Sequence, residues 1–202
     1  MDGILSEMER RAVDEGIRGK YRHVATSPRG LFRFPTGRTG LECLGYDPAL
    51  ITALPRQVAE CYCGVGNPLS LGEPRPGQAV LDIGCGAGVD TLLAARLVGP
   101  GGRAVGLEPV PEMLARARAN LALTGLGNLE FLQAWAEDLP LPAQSFDLVI
   151  SNGALNLVPG KARALAEVWR VLRPGGRLQV ADQVLSGPDF PDRAAMIACW
   201  FT

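Results

Sequence analysis

The residues best suited to chemistry lie in Val80-Leu81-Asp82-Ile83-Gly84-Cys85-Gly86-Ala87-Gly88, an apolar run that ends in alternate glycines. Gly84 and Gly86 let backbone approach a ligand where a Cβ would collide, and Gly88 permits tight packing where a helix begins. The spacing is G-x-G-x-G, with Val89 where a dinucleotide fingerprint has its third glycine, so recognition of a pyrophosphate fits poorly. Asp82 sets a carboxylate beside the turn, which suits a cationic or amine-bearing ligand better than a phosphate. Glu108 ends the next apolar run. Alone it reads as a solvated strand end; one strand–helix unit after the glycine turn, it is better placed to accept both hydroxyls of a ribose. Trp135, in Trp135-Ala136-Glu137-Asp138, either stacks on a base or packs against a helix, and its residue type favours neither.

Other chemistry is excluded by counting. The 202 residues include one histidine, His23, so no zinc site of several histidines can form within the chain, and a serine or cysteine nucleophile would have only that base. The five cysteines, Cys43, Cys61, Cys63, Cys85 and Cys199, are an odd number without a secretory signal, which favours reduced thiols. Cys43 and Cys85 read as small buried apolar side chains. Cys61 and Cys63 divide evenly between packing and a substrate-site role, because positions i and i+2 face different ways on helix or strand. A net charge of −1 gives no general reason to bind nucleic acid or an acidic membrane. No apolar run approaches the ~20 residues of a membrane helix, and the N-terminus lacks the order of a signal peptide, so the expected location is cytoplasmic.

These groups need elements to position them. With 47% hydrophobic and 20% charged residues the chain is ordinary globular material. Its pattern changes near residue 76. Before it, Ile4, Met8, Ala12, Val13 and Ile17 recur at helical spacing, predicting an amphipathic helix over about 3–25. A Gly/Pro-interrupted stretch over Ser27–Tyr46 follows, then a short helix capped by Asp47-Pro48, another over Gln57–Tyr62, and a loop at Gly64–Pro68. From Ala79 onward apolar strands alternate with helices. The strands are expected at Ala79–Ile83, Arg103–Glu108, Leu129–Gln133, Phe146–Ser151 and Arg177–Asp182, and the helices at Val89–Val98, Pro111–Leu123 and Lys161–Leu172. This predicts an α/β fold with a doubly wound, mostly parallel sheet and a ligand site beyond the carboxyl ends of the strands. The division is expected to separate an N-terminal helical lid, residues 1–76, from a ligand-binding domain, residues 77–202.

Asp82 through Gly88, Glu108, Trp135 through Pro140, Ser145-Phe146-Asp147 and Leu172 through Leu178 resemble the successive motifs of class I S-adenosylmethionine-dependent methyltransferases. The resemblance implies a Rossmann-like methyltransferase fold with S-adenosylmethionine as cofactor. Carried onto this sequence, it implies a cofactor site of Asp82, Gly84, Cys85, Gly86, Gly88, Glu108, Pro109, Met113, Trp135, Ala136, Glu137 and Asn152. Trp135 stands where related sequences often have an aspartate for the adenine amino group, leaving that contact to backbone or to Glu137.

Leu44 through Pro48, Leu54-Pro55, Gly64 through Pro68 and Ser151 through Leu157 resemble arsenite methyltransferases more narrowly. In that group cysteine thiolates hold arsenic(III). Here the loop cysteine is replaced by Val65 and the central one, after Ser151-Asn152, by Gly153, leaving Cys61, Cys63 and Cys199 as possible arsenic(III) thiols and no resident metal expected. The leading expectation is therefore direct in-line methyl transfer to a small-molecule acceptor, with Asn152 and Cys199 at the reacting end. An arsenite methyltransferase is the alternative, and a non-catalytic binder of the cofactor is the alternative of another class. A nicotinamide dehydrogenase is disfavoured by the glycine spacing and Asp82. The resemblance also implies a final antiparallel strand pair for which few residues remain, so a truncated sheet is expected, with a homo-oligomer as one way to cover its open edge.

Overall fold

Period-2 alternation splits the side chains of each central strand between two apolar layers, and the computed structural model, which describes residues 5–184 and Ile197, has both layers filled. Strands β1 (Ala79–Ile83), β2 (Arg103–Leu107), β3 (Leu129–Leu132), β4 (Phe146–Asn152) and β5 (Leu172–Ala181) form one sheet in the order β3-β2-β1-β4-β5. Every pairing is parallel. The order reverses between β1 and β4, and at such a switch point the loops leaving the two strands part and open a crevice.

Helices α1 (Glu7–Val24), α2 (Gly37–Cys43), α3 (Pro48–Ala53) and α4 (Arg56–Ala59) precede the sheet, and α5 (Val89–Val98), α6 (Pro111–Ala122) and α7 (Lys161–Val171) lie among its strands. One layer joins Val80, Leu148 and Ile150 to α5 and to Leu41, Tyr46, Ile51, Val58 and Tyr62 of the N-terminal segment. The other joins Leu81, Ile83, Val105 and Val149 to Ala164, Val168 and Val171 of α7. The residues before Gly77 thus share a core with the sheet.

Helix α1 opens with a capping box: the Ser6 hydroxyl accepts from the Glu9 amide at 3.3 Å, and the Ser6 amide donates to the Glu9 carboxylate at 2.7 Å. Val13, Ile17 and Val24 are its buried residues, whereas Met8, expected on the same face, is 79% exposed. Ile4 lies outside the described residues.

Several expected boundaries shift. The stretch over Ser27–Tyr46 contains α2, whose last residue, Cys43, is exposed rather than buried because the helix turns Leu41 inward. The helix expected over Gln57–Tyr62 narrows to α4, since Cys61 and Tyr62 bond back to Val58 and Ala59, three residues away, in a tighter turn. Strand β3 ends at Leu132. Helix α7 stops at Val171, and β5 starts five residues earlier than expected, at Leu172. Arg173-Pro174-Gly175-Gly176 enters the sheet as an irregularity opposite Phe146 and Leu148, held by Arg173, whose guanidinium meets the Asp147 carboxylate at 2.6 Å. Among the described residues no helix is long and apolar enough to cross a membrane.

Candidate active site

A cavity of about 620 Å³ lies beyond the carboxyl ends of β1 and β4. Its floor is Asp82 through Ala87, with Glu108–Val110 after β2, Ala134–Ala136 after β3 and Asn152–Ala154 after β4. Its roof comes from Ile17, Lys20 and Tyr21 of α1, the stretch Gly30–Phe34, and Cys61–Val65.

The glycine turn meets the floor's geometric demand directly. Gly84 has φ +69°, and a Cβ there would run into the Ala154 side chain, so only glycine fits. Glu108 straps the turn, accepting from the amides of Gly86 and Val110 at 2.9 Å each. Each carboxylate oxygen keeps further acceptor capacity toward the cavity.

Three buried carboxyls sit at this end: Asp82, Asp90 and Glu108. Thr91 donates its hydroxyl to Asp82 at 2.6 Å. Burial raises all three pKa values, and for Asp82 the neighbouring Asp90 adds to the effect. Glu108 is pushed up to about 7. A cluster that resists ionisation in this way is stabilised by a cation entering among it.

Asn152 is engaged on every side. Its amide group donates to Asp90 at 2.9 Å and to the Gly66 carbonyl at 2.8 Å, with the Tyr62 hydroxyl at 3.1 Å. Its carbonyl accepts from the amides of Val65 and Gly66 at 2.9 and 3.1 Å. Tyr46 donates to Asp90 at 2.6 Å. One side chain at the end of β4 therefore clamps the Gly64–Gly66 loop over the cavity.

Asp82, Gly84, Cys85, Gly86, Glu108, Pro109, Trp135, Ala136, Asn152, Cys61 and Cys63 all line the cavity. Three residues the resemblance pointed to lie behind its wall. Gly88 packs on Phe131, and Met113 is fully buried beneath Gly86. Glu137 turns to the start of α7, accepting from the Gly160 amide at 3.2 Å. Cys199 lies outside the described residues. Cys85 is buried with Leu114, Ala117 and Phe131. The half-buried Cys63 thiol is pushed up to about 12 by burial, with Glu108 and Asp90 adding to the effect, and so stays protonated near neutrality. Cys61 accepts from the Arg116 guanidinium at 3.1 Å.

Sequence reasoning missed Asp90, Thr91, Tyr46, Tyr62, Lys20 and Phe32. Asp90 had a signal, since it stands in the first turn of the helix that leaves the glycine turn. Lys20 had none, because only the docking of α1 brings it over the floor.

The donor set fits a cationic nucleoside. Glu108 is free to accept from hydroxyls, Trp135 offers a ring face, and Asp82 and Asp90 favour positive charge. In the cavity wall, Asn156 Oδ1 is buried with no hydrogen-bond partner among the described residues, an acceptor suited to a ligand N–H.

A methyltransferase-domain family model matches residues 74–198. The arsenite methyltransferase of Halobacterium salinarum is 36% identical over 207 residues, which cover 96% of this chain and 52% of that protein. The ubiquinone/menaquinone biosynthesis C-methyltransferase of Hahella chejuensis is 48% identical over 109 residues, 54% of this chain and 44% of that one. The solved structure of an arsenic(III) S-adenosylmethionine methyltransferase from Chlamydomonas reinhardtii superposes with a TM-score of 0.62 at 39% identity, covering 68% of this chain and 50% of that one. The chain spans about half the length of the curated relatives it matches. The parallel sheet, the glycine turn with its acidic floor and the family match agree: the chain belongs to the S-adenosylmethionine-dependent methyltransferases, whose cofactor is S-adenosylmethionine.

Proposed function

We propose that this chain transfers the methyl group of S-adenosylmethionine to a small organic acceptor by direct in-line displacement. The observation that carries the proposal is the division of one continuous cavity into an acidic floor and a roof of different chemistry. When bound, the cofactor supplies a methyl group already activated on a sulfonium, so the protein has mainly to align the acceptor and exclude water. In this reading Asp82, Asp90 and Glu108 select the cationic cofactor. Asn152 is a positioning residue that fixes the Gly64–Gly66 loop, and the segment up to residue 76 covers the acceptor end.

The arsenite relatives favour a second reading, in which Cys61 and Cys63, both in the cavity wall, serve a thiophilic acceptor. Two observations weigh toward the organic acceptor. A Cβ on Gly153 would stand 3.2 Å from Val65, so the two positions where the resemblance implies cysteines face each other here without a thiol. The high pKa of Cys63 also withholds a thiolate.

Transfer of labelled methyl from S-adenosylmethionine to a panel of small organic acceptors, arsenite and monomethylarsenite tests both. Turnover of an organic acceptor with little on either arsenical is expected. Turnover of the arsenicals alone would establish the second reading. Cofactor binding with no transfer to anything would leave a binding module.

A further inference from the structure

We propose that Trp135 takes the cofactor's adenine on one face of its ring and Arg18 of α1 on the other, so that this chain recognises the base by stacking rather than through its amino group. The inference rests on the methyltransferase reading and adds how that cofactor's base is held.

Geometry is the first argument. The Arg18 guanidinium carbon stands 5.2 Å from the centroid of the Trp135 ring, within cation–π range. Arg18 is exposed and lies outside the cavity lining, whereas Trp135 is half-buried and belongs to it. The cation therefore covers the ring from outside and leaves the opposite face to the cavity. Ala134, Ala136 and Pro109, its neighbours in the lining, have short side chains that leave room for a second ring. The ribose acceptor is close by. Glu108 donates its amide to the Leu132 carbonyl at 3.1 Å, and Trp135 follows Leu132 by three residues, so carboxylate and ring stand at neighbouring strand ends, as ribose and base do in a nucleoside.

Hydrogen-bonding capacity is the second argument. An indole has one N–H donor and no acceptor, so Trp135 cannot take a hydrogen bond from the adenine amino group. Glu137, the carboxylate of the same segment, is turned to the Gly160 amide at 3.2 Å. What Trp135 offers is a ring face, and stacking is tolerant of exocyclic groups because every base has a π-face. Arg18 acts through Trp135 and is a positioning residue. It stands one turn before Arg22, which meets Glu112 of α6 at 2.9 Å, so α1 rests on the ring at one turn and on α6 at the next.

The test titrates S-adenosylhomocysteine into the full chain, with calorimetry for affinity and tryptophan emission for the stack. Emission is expected to fall on saturation. Trp135→Phe should keep affinity within about threefold yet lose most of that fall, and Trp135→Leu should bind about tenfold more weakly or worse. The analogue with purine in place of adenine, which keeps N1 and lacks the amino group, should bind within about threefold of S-adenosylhomocysteine, where loss of a hydrogen bond to a carboxylate would cost about tenfold or more. Arg18→Ala should weaken binding about threefold, Arg18→Lys by less, and Arg18→Ala should add nothing in Trp135→Leu. Unchanged emission at saturation, a tenfold loss for the purine analogue, or an Arg18→Ala effect undiminished in Trp135→Leu would each overturn the inference. Failure to bind S-adenosylhomocysteine at all would instead overturn the methyltransferase reading beneath it.

Discussion

The floor and the roof of the cavity are built in opposite ways. Floor groups sit at or just beyond strand ends, and backbone geometry fixes them: Gly84 at φ +69° under Ala154, and Glu108 strapped to the amides of Gly86 and Val110. The roof is held by side chains from segments far apart in sequence. Asn152 reaches 87 residues back to the amide of Val65, and Arg22 of α1 meets Glu112 of α6 across the surface at 2.9 Å. A fixed floor suits a ligand common to a family, and a roof made of side chains can change its acceptor with few substitutions.

The largest effect should come from the floor. Gly84→Val would demand a left-handed valine and push into Ala154, at a cost of about 3 kcal/mol or more. Thermal unfolding should show a large fall in Tm, and calorimetry no S-adenosylhomocysteine binding. Next is the clamp between the two regions. Asn152→Ala leaves the Asp90 carboxyl and the Val65 and Gly66 amides short of partners, a loss of about 2–4 kcal/mol measurable by denaturant unfolding. In a background stable enough to assay, kcat should fall more than cofactor affinity does.

A pH series separates floor from roof more gently. Folded Glu108 holds its proton up to about 7, while in the unfolded chain it is released near the ordinary value of 4.5. The folded state therefore binds more protons between these limits, and its ligand-free stability falls as pH rises through them. Binding of the cationic cofactor should change the other way, strengthening with pH across the same interval by no more than about tenfold per unit. Glu108→Gln should flatten that dependence. The smallest effect belongs to the exposed Arg22–Glu112 pair. Arg22→Ala should leave Tm where it is and raise the acceptor KM by no more than about twofold, since exposed pairs contribute little.

The same contrast decided what could be read from sequence. Asp82, the glycine turn and Glu108 form a local pattern in which strand, turn and next strand follow in order, so their places were legible. Glu137 was adjacent to the motif yet faces α7, because a position after a strand does not fix which way a side chain turns. The exposure of Cys43 depends on which side of a short helix meets the core. Lys20, Phe32 and Asn152's hold on the Val65 loop depend on tertiary docking over long separations, which no periodicity within one element encodes.

The most direct measurement is a crystal structure of the chain with S-adenosylhomocysteine. The account predicts the ribose hydroxyls on Glu108, the thioether sulfur above the glycine turn, and open cavity between that sulfur and the roof. A nucleoside bound elsewhere, or one whose sulfur faces away from the roof, would contradict it.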